Sequence, residues 1–332
     1  ATLVLMFTTT FIFAQESNMK FFTTFYGSAD AYYKYDFSKI DNSLSSFTNS
    51  HNSFELGMAS IEALHKMDKG SVFVDLGFGN RAAQFIYNNG IKTFIIKQLN
   101  FTYKFSDKFK VILDSFATHV GYELVDAVDN KNYSMSYAFS NGPFFNTGIK
   151  VQYTSNKFSF MAGVSNPTDL KSTIDAGSTQ KTFIGQLAFL GDTGSAYFNV
   201  TSGSSNPSSD ENKTQFDFVG KKKLSKAFSL GFNGTYALTT NDLDSALDGE
   251  WFSLVGYVNF IVKESSSVAY RLEYLDAKQA TDRLGLLTGT SVIGNTLSLN
   301  YKVGNLTIIP EFRFDIASED IFTDSNAAPK GL

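Results

Sequence analysis

Residues 25–37 read Phe-Tyr-Gly-Ser-Ala-Asp-Ala-Tyr-Tyr-Lys-Tyr-Asp-Phe and decide the fold of this 332-residue chain. Every second residue of the stretch is apolar, small or aromatic, and polar residues such as Asp30 and Lys34 lie between them. Side chains on a β-strand alternate between its two faces, so the stretch predicts a strand with one apolar and one charged face. It is long enough to cross a bilayer at a tilt. Its apolar face ends in aromatic residues, Tyr33 and Phe37 among them, which is typical of a membrane interface.

The same alternation returns about every twenty residues, as expected for the successive strands of a membrane barrel. Phe54, Leu56 and Met58, for example, form the apolar phase of the second strand. Short turns, such as 156–157, alternate with longer polar stretches, such as 239–250. Short turns at one rim and long loops at the other are typical of outer-membrane barrels. The pattern predicts an all-β protein, a transmembrane antiparallel up-and-down β-barrel of about 16 strands.

The composition excludes several other classes of protein. The chain has 34 Phe and 16 Tyr but no Cys, so disulfide scaffolds and thiolate metal sites are excluded. Its net charge is −4, which argues against a nucleic-acid partner. No internal run approaches the roughly 18 uncharged apolar residues of a membrane helix. The mean hydropathy of −0.10 leaves a soluble protein or a β-barrel.

The two ends of the chain carry predictions of their own. Residues 1–14 resemble the apolar core of a secretory signal ending at Ala14, and residues 15–332 would then form the barrel. A short buried strand is the alternative for residues 1–14. At the other end, residues 318–332 are polar and contain Pro329, without an alternating run. Since an open barrel would expose two strand edges to lipid, we expect the closing C-terminal strand to be absent from this chain.

Ionisable residues fall on the polar phase of most strands. An ionised group facing lipid costs about 2–4 kcal/mol near the midplane, so the barrel is expected to turn these groups inward. Both signs of charge predict a wet lumen with at most a weak ion preference; a plugged or salt-bridged lumen is the alternative. The predicted pore-lining residues are Asp30, Lys34, Asp36, Glu55, Asp114, Lys150, Asp217, Arg271, Glu273, Glu311, Arg313 and Asp315.

One connection is unusually long and apolar. Residues 118–143 hold four charged residues beside a series of aromatic ones. This composition suits a loop that folds into the barrel mouth as a constriction, although the alternation across 133–139 also fits a strand that extends above the membrane. The candidates for the constriction are Tyr122, Glu123, Asp126, Asp129 and Lys131.

No catalytic, metal or cofactor site is predicted. The three histidines, His51, His65 and His119, lie in or near connections and at a strand end, and they form no recognisable hydrolase or metal set. Ser is abundant, which by itself indicates nothing about nucleophilic catalysis. We therefore expect neither an enzyme nor a cofactor.

Four stretches resemble a known family. They are 117–127 (Ala-Thr-His-Val-Gly-Tyr-Glu-Leu-Val-Asp-Ala), 132–148 (Asn-Tyr-Ser-Met-Ser-Tyr-Ala-Phe-Ser-Asn-Gly-Pro-Phe-Phe-Asn-Thr-Gly), 166–171 (Asn-Pro-Thr-Asp-Leu-Lys) and 303–315 (Val-Gly-Asn-Leu-Thr-Ile-Ile-Pro-Glu-Phe-Arg-Phe-Asp). Together with the first strand they are similar to the OmpL-like β-barrel porin family of Bacteroidota, from about Phe25 to Asp315. The chain departs from barrels that end on an aromatic residue, because it ends in Leu332.

The resemblance implies a porin in the cell outer membrane of a Gram-negative bacterium. Its expected partners are outer-membrane lipid and small hydrophilic solutes, and a homo-oligomer is compatible with this role. Together with the polar strand faces it predicts passive diffusion of small hydrophilic solutes through the lumen. A closed structural or surface-binding barrel without channel activity is the alternative.

Overall fold

The protein is described here from a computed structural model. The structure describes residues 2–7, 22–41, 44–86, 95–172, 180–204, 211–280, 284–323 and 329–330, and for 2–7, 286 and 329–330 it describes the backbone alone. The predicted signal cleavage after Ala14 lies outside the described residues.

Sixteen antiparallel strands close into one barrel, in which each strand pairs with its neighbours in the sequence and β1 pairs with β16. The strands are β1 (Thr2–Phe7), β2 (Phe22–Lys34), β3 (Ser53–Lys66), β4 (Gly70–Phe78), β5 (Ile95–Lys104), β6 (Phe109–Ala117), β7 (Phe145–Ser155), β8 (Phe158–Ser165), β9 (Thr182–Gly191), β10 (Gly194–Ser204), β11 (Glu211–Lys223), β12 (Phe228–Asn241), β13 (Gly249–Lys263), β14 (Ser266–Gln279), β15 (Ser291–Val303) and β16 (Leu306–Ala317). The predicted fold class is confirmed.

Little of the described chain is helical. There are two short helices, α1 (Asn80–Phe85) and α2 (Tyr137–Asn141), and single 3-10 turns at Ala127–Asp129, Ser245–Leu247 and Gly285–Leu287. A two-stranded ribbon, β17 (Phe322–Thr323) with β18 (Pro329–Lys330), follows β16. Within the described residues, no helix is long and apolar enough to cross a membrane.

The connections are sorted by length between the two rims of the barrel, as the sequence predicts. Residues 67–69, 105–108, 156–157, 192–193, 224–227, 264–265 and 304–305 form one set of tight turns, which we call the short-turn rim. The connections at the opposite, long-loop rim are longer, and that between β6 and β7 spans residues 118–144. In outer-membrane barrels the short turns face the periplasm.

The outer face of the barrel is apolar. Phe54 is 85% exposed and Phe183 is 64% exposed, and large apolar side chains are likewise exposed on most other strands. A soluble monomer rarely exposes a contiguous apolar surface of this size. The outer face is thus suited to lipid, and the inner face carries the polar phase of each strand.

Strand β1 closes the barrel between β2 and β16. Its residues resemble the remainder of a signal in sequence, and it occupies the position expected for the closing strand. The other fifteen strands agree with the number counted from the sequence. The signal at residues 1–14, the barrel limits 15–332 and the absent closing strand stay predictions.

Two irregularities in the strand pairing change which side chains face inward. Between β2 and β3, Asp30 pairs with Met58 and Ala31 pairs with Leu56, so Gly57 of β3 is the extra residue of a bulge. The bulge reverses the phase, and Met58 is buried inside the barrel at 1% exposure. Its predicted place on the apolar outer phase is wrong. The second irregularity is between β4 and β5. Asp75 pairs with Gln98 and Leu76 pairs with Ile96, so Lys97 of β5 is the extra residue.

Candidate functional site

Residues 118–144, which we call the crossing segment, fold into the barrel and touch several parts of its wall. Near its start, the Gly121 amide donates to Asp217 of β11 at 3.0 Å. Further along, Asp126 bonds Ser60 of β3 at 2.6 Å. Asn132 then donates to Ser298 of β15 at 2.7 Å. Since these wall residues come from widely separated strands, the segment spans the lumen.

Arg271 of β14 is the centre of the contacts between wall and segment. Its side chain is fully buried, and its Nη1 donates to Glu123 Oε1 at 2.7 Å and to the carbonyl of Ser134 at 2.5 Å. Its Nη2 lies 3.4 Å from Glu273 Oε1 and donates to the Met135 carbonyl at 3.2 Å. A buried guanidinium needs charged and polar partners because burial removes its water. The crossing segment supplies several of them.

Wall carboxylates also hold the backbone of the segment. Glu311 of β16 accepts from the amide of Tyr133 at 2.7 Å and from that of Ser134 at 3.0 Å. Glu273 accepts from the amide of Tyr137, at the start of α2, at 2.6 Å. Hydrogen bonds to an ionised acceptor are about twice as strong as neutral ones, so these bonds fix the path of the segment.

Two tyrosines of the segment donate their hydroxyls to wall acids. Tyr133 donates to Asp30 at 2.5 Å and Tyr137 to Asp315 at 2.6 Å. Burial raises the pKa of both Tyr133 and Tyr137 well above the usual value. Both phenols therefore stay protonated and act as donors, which suits acceptor-only carboxylates.

A second charged cluster lies where β3, β4 and β5 meet the segment. The buried Lys97 amine is 3.0 Å from Asp75 Oδ1 and 2.7 Å from Asp126 Oδ2, and it donates to Ser60 at 2.9 Å. Arg81, from α1, lies close by and donates to the Val125 carbonyl at 3.0 Å. Sequence reasoning missed both cations as site residues, because Arg81 is on a helix inside a connection and Lys97 faces inward only through the β5 irregularity.

Aromatic packing completes the anchoring of the segment. Phe139 and Phe144 pack with Phe47, Phe85 and Phe145 in one buried cluster. On the opposite side Tyr122 stacks on Tyr257 of β13, with ring centroids 4.0 Å apart and planes at 13°. The alternative that residues 133–139 extend a strand above the membrane is wrong, since they lie inside the barrel and include the start of α2.

The predicted pore-lining residues differ in burial. Asp30, Asp217, Arg271, Glu273 and Glu311 are buried. Lys34, Asp36, Glu55, Lys150, Arg313 and Asp315 are half-buried, and Asp114 is exposed. Many of these residues bond the crossing segment or one another, as in the Arg313 pair with Asp315 at 2.8 Å. Their role in lining a pore stays a prediction.

The constriction candidates fall into two groups. Tyr122, Glu123 and Asp126 are bound to the wall as described above, whereas Asp129 and Lys131 are exposed. Both line a cavity of about 130 Å³ that Tyr122, Lys221 and Asn259 also line. Lys221 and Asn259 lie near the short-turn ends of β11 and β13, so this cavity is on the short-turn side of the segment.

Solved structures with the same architecture are outer-membrane proteins. OmpT of Vibrio cholerae has 11% identity and a TM-score of 0.58, with 97% of this chain and 95% of that chain covered. The anion-selective porin from Comamonas acidovorans has 9% identity and a TM-score of 0.60, covering 100% and 95%. The channel DcaP of Acinetobacter baumannii has 12% identity and a TM-score of 0.55, covering 90% and 99%. At such identities the likeness shows the fold, which is that of porins.

The fold is that of an outer-membrane β-barrel. The model of the family described as "Putative beta-barrel porin-2, OmpL-like" matches residues 23–330. The chain therefore belongs to the OmpL-like β-barrel porin family, as its sequence resemblance suggests. No curated protein sequence matches it.

Proposed function

We propose that the protein allows passive diffusion of small hydrophilic solutes across the outer membrane of a Gram-negative bacterium. The observation that carries this proposal is the polar character of the lumen and of the crossing segment that narrows it. Wall residues such as Asn199, Thr235 and Ser298 are polar, and charged groups hold the segment in place. A barrel built only as a scaffold could fill its interior with apolar side chains, as small barrels do.

The position of the crossing segment supports a role in setting the size limit for solutes. It spans the lumen from β11 to β3 and β15 and leaves a mixed polar cavity beside Lys131 and Asp129. Rings of charged and polar groups at a narrow point select solutes by size and charge. Solutes that pass it would be small and hydrated.

One observation favours the second candidate, a closed structural or surface-binding barrel. Five of the twelve predicted pore-lining residues are buried, and they include Arg271 at 0% and Glu273 at 1% exposure. Inward side chains without access to water are expected where a lumen is filled. The Bacteroidota origin, the signal at residues 1–14 and a homo-oligomeric state are also proposals, which rest on the family resemblance and on the sequence of the N-terminus.

Conductance of the refolded full-length chain in planar bilayers tests the proposal. We expect discrete steps above baseline, and their absence would favour the closed barrel. Replacing residues 121–131 by a Gly-Ser sequence of equal length removes Glu123, Asp126 and Lys131 and should raise the conductance. The matched control replaces 242–248, which lies at the long-loop rim, and should leave conductance unchanged.

Liposome swelling gives an independent reading of the size limit. Sugars and amino acids of graded size should enter vesicles that contain the protein up to a sharp limit. The limit should rise in the variant with 121–131 replaced and stay constant in the 242–248 control. An unchanged limit in both variants would show that the crossing segment does not set it.

A further inference from the structure

Charges of opposite sign occupy different environments inside the barrel. Most inward carboxylates are engaged: Glu273 pairs with Arg271 and Arg313, Asp75 pairs with Lys97, and Asp217 accepts from Asn199 at 2.7 Å. Charge that is paired contributes little field at a distance. We call this set of paired groups the mid-lumen network, defined by Arg271, Arg313, Lys97 and the carboxylates that they and the crossing segment bind.

A group of lysines near the short-turn rim has no such partners. Among the described residues, none of their amines lies within ion-pairing distance of a carboxylate. We call them the vestibule lysines: Lys104, Lys110, Lys131, Lys221 and Lys302.

Strand phase places four of the vestibule lysines on the inner wall. Lys104 lies between the outward Tyr103 and Phe105, which are 37% and 62% exposed. Lys302 continues the inward phase of the buried Ser298 and Asn300. By the same alternation, Lys110 faces the same way as Ile112, which packs against the inward Phe116 cluster. Lys221 faces the same way as the buried Asp217.

The vestibule lysines lie toward the same end of the barrel, and two of them line the cavity. Lys104 and Lys110 are direct partners in the β5–β6 pair. The Lys221 amine lies 4.5 Å from the centre of the Tyr122 ring and lines the cavity together with Lys131. Asn300, on the same inward phase of β15 as Lys302, donates to the Lys131 carbonyl at 2.9 Å, so the crossing segment passes beside β15 at Lys131. Lysines on β5, β6, β11 and β15 therefore share this end of the lumen.

Few acids offset these lysines. Asp129 lines the same cavity, Glu62 lies on the inward phase of β3, and Asp114 is exposed on β6. None of the three has an ion-pair partner among the described residues. The short turns add four acids (Asp68, Asp107, Asp192 and Glu264) and four lysines (Lys69, Lys108, Lys157 and Lys226), which balance. The five vestibule lysines against the three inward acids therefore leave a positive excess, with Lys104 and Lys110 side by side.

We propose that the short-turn half of the lumen selects small anionic solutes, such as carboxylates and phosphate, through the field of the vestibule lysines. A narrow opening with low-dielectric walls focuses the field of its charges and raises the local concentration of the opposite ion. Lysine and arginine groups are the usual lining of anion pores. The inference rests on the proposed channel. It replaces the weak ion preference predicted from the sequence, because most inward carboxylates are paired whereas the vestibule lysines have no ion-pair partner among the described residues.

The reversal potential of single channels in a KCl gradient tests the inference. We expect chloride to permeate about tenfold better than potassium at low salt, and the ratio to fall as ionic strength rises. The triple variant Lys110→Gln, Lys221→Gln and Lys302→Gln should bring the ratio close to one while the channels still open. Circular dichroism of each variant checks that the barrel has refolded.

The neighbouring lysine on β11 supplies a matched control. Lys222 follows Lys221 but has the opposite strand phase and faces outward, where its amine donates to Thr193 at 2.8 Å. Lys221→Gln should reduce anion preference and Lys222→Gln should not. Open channels with a cation preference, or equal effects of the two variants, would overturn the inference. Absence of any channel would instead overturn the proposed function.

Discussion

The mid-lumen network and the vestibule lysines differ in whether their charges are paired. In the network, Arg271 and Lys97 are fully buried and are surrounded by carboxylates and carbonyls. In the vestibule, Lys104 and Lys302 are exposed and unpaired among the described residues. A buried charge must be paired because its hydration is lost, whereas an exposed lysine keeps its water. The first arrangement holds a segment in place, and the second leaves a field free to act on solutes.

Arg271→Met should produce the largest loss of stability. It leaves Glu123 buried without its cation and Glu273 with Arg313 alone, and removing one partner of a buried pair costs about 3–5 kcal/mol. Urea unfolding in detergent can be followed by the fluorescence of Trp251, which is 1% exposed and packs with Tyr137.

Lys221→Met is the comparison for Arg271→Met. It removes an unpaired lysine of the vestibule, so we expect a change of less than about 1 kcal/mol. Equal losses in the two variants would contradict the distinction between the network and the vestibule.

Gly231→Ala should have an intermediate effect. A Cβ at Gly231 would clash with the Tyr122 ring, which stacks on Tyr257. Tyr122 must then move, at a cost of about 1–3 kcal/mol. Denaturant unfolding measures the loss. Gly256→Ala on the outer face meets nothing within 4 Å and should change stability by less than about 0.5 kcal/mol.

Lys110→Gln should have the smallest effect and the opposite sign. Lys110 is directly opposite Lys104, and like charges across a strand pair are destabilising by about 0.2–1 kcal/mol. The variant should unfold at higher urea, with a gain that shrinks at high salt. Lys226→Gln, in the turn after β11, serves as the control. A gain that persists at high salt would point to a cause other than charge repulsion.

Much of the fold could be predicted from the sequence because the relevant signals are local. The alternation across 25–37 and the lengths of the connections need only neighbouring residues. The structure confirms the strand and the sorting of the connections, but β2 spans Phe22–Lys34, so the predicted end at Phe37 is three residues too late. The alternation gave the wrong inward or outward direction where one strand of a pair contains an extra, unpaired residue. Gly57 and Lys97 are unremarkable in sequence, yet each shifts a strand phase and brings Met58 or Lys97 itself inside.

The candidate site was predicted only in its parts. The composition of 118–143 predicted that this segment folds into the barrel mouth and that Glu123 and Asp126 contribute to the constriction. Composition gave no indication of their partners, and Arg81 and Lys97 were absent from the predicted site. A cation in a helix or at an irregular strand position has no phase from which its direction can be inferred.

The sequence by itself determined that the strands have one face for lipid and one for polar groups, because a period of two residues is a property of each strand alone. Only the tertiary structure decided which inward charges are neutralised. Glu123 and Arg271 are 148 residues apart in the chain and 2.7 Å apart in the barrel. That pairing depends on the closure of the barrel and on the path of the crossing segment. The same path leaves the vestibule lysines unpaired among the described residues.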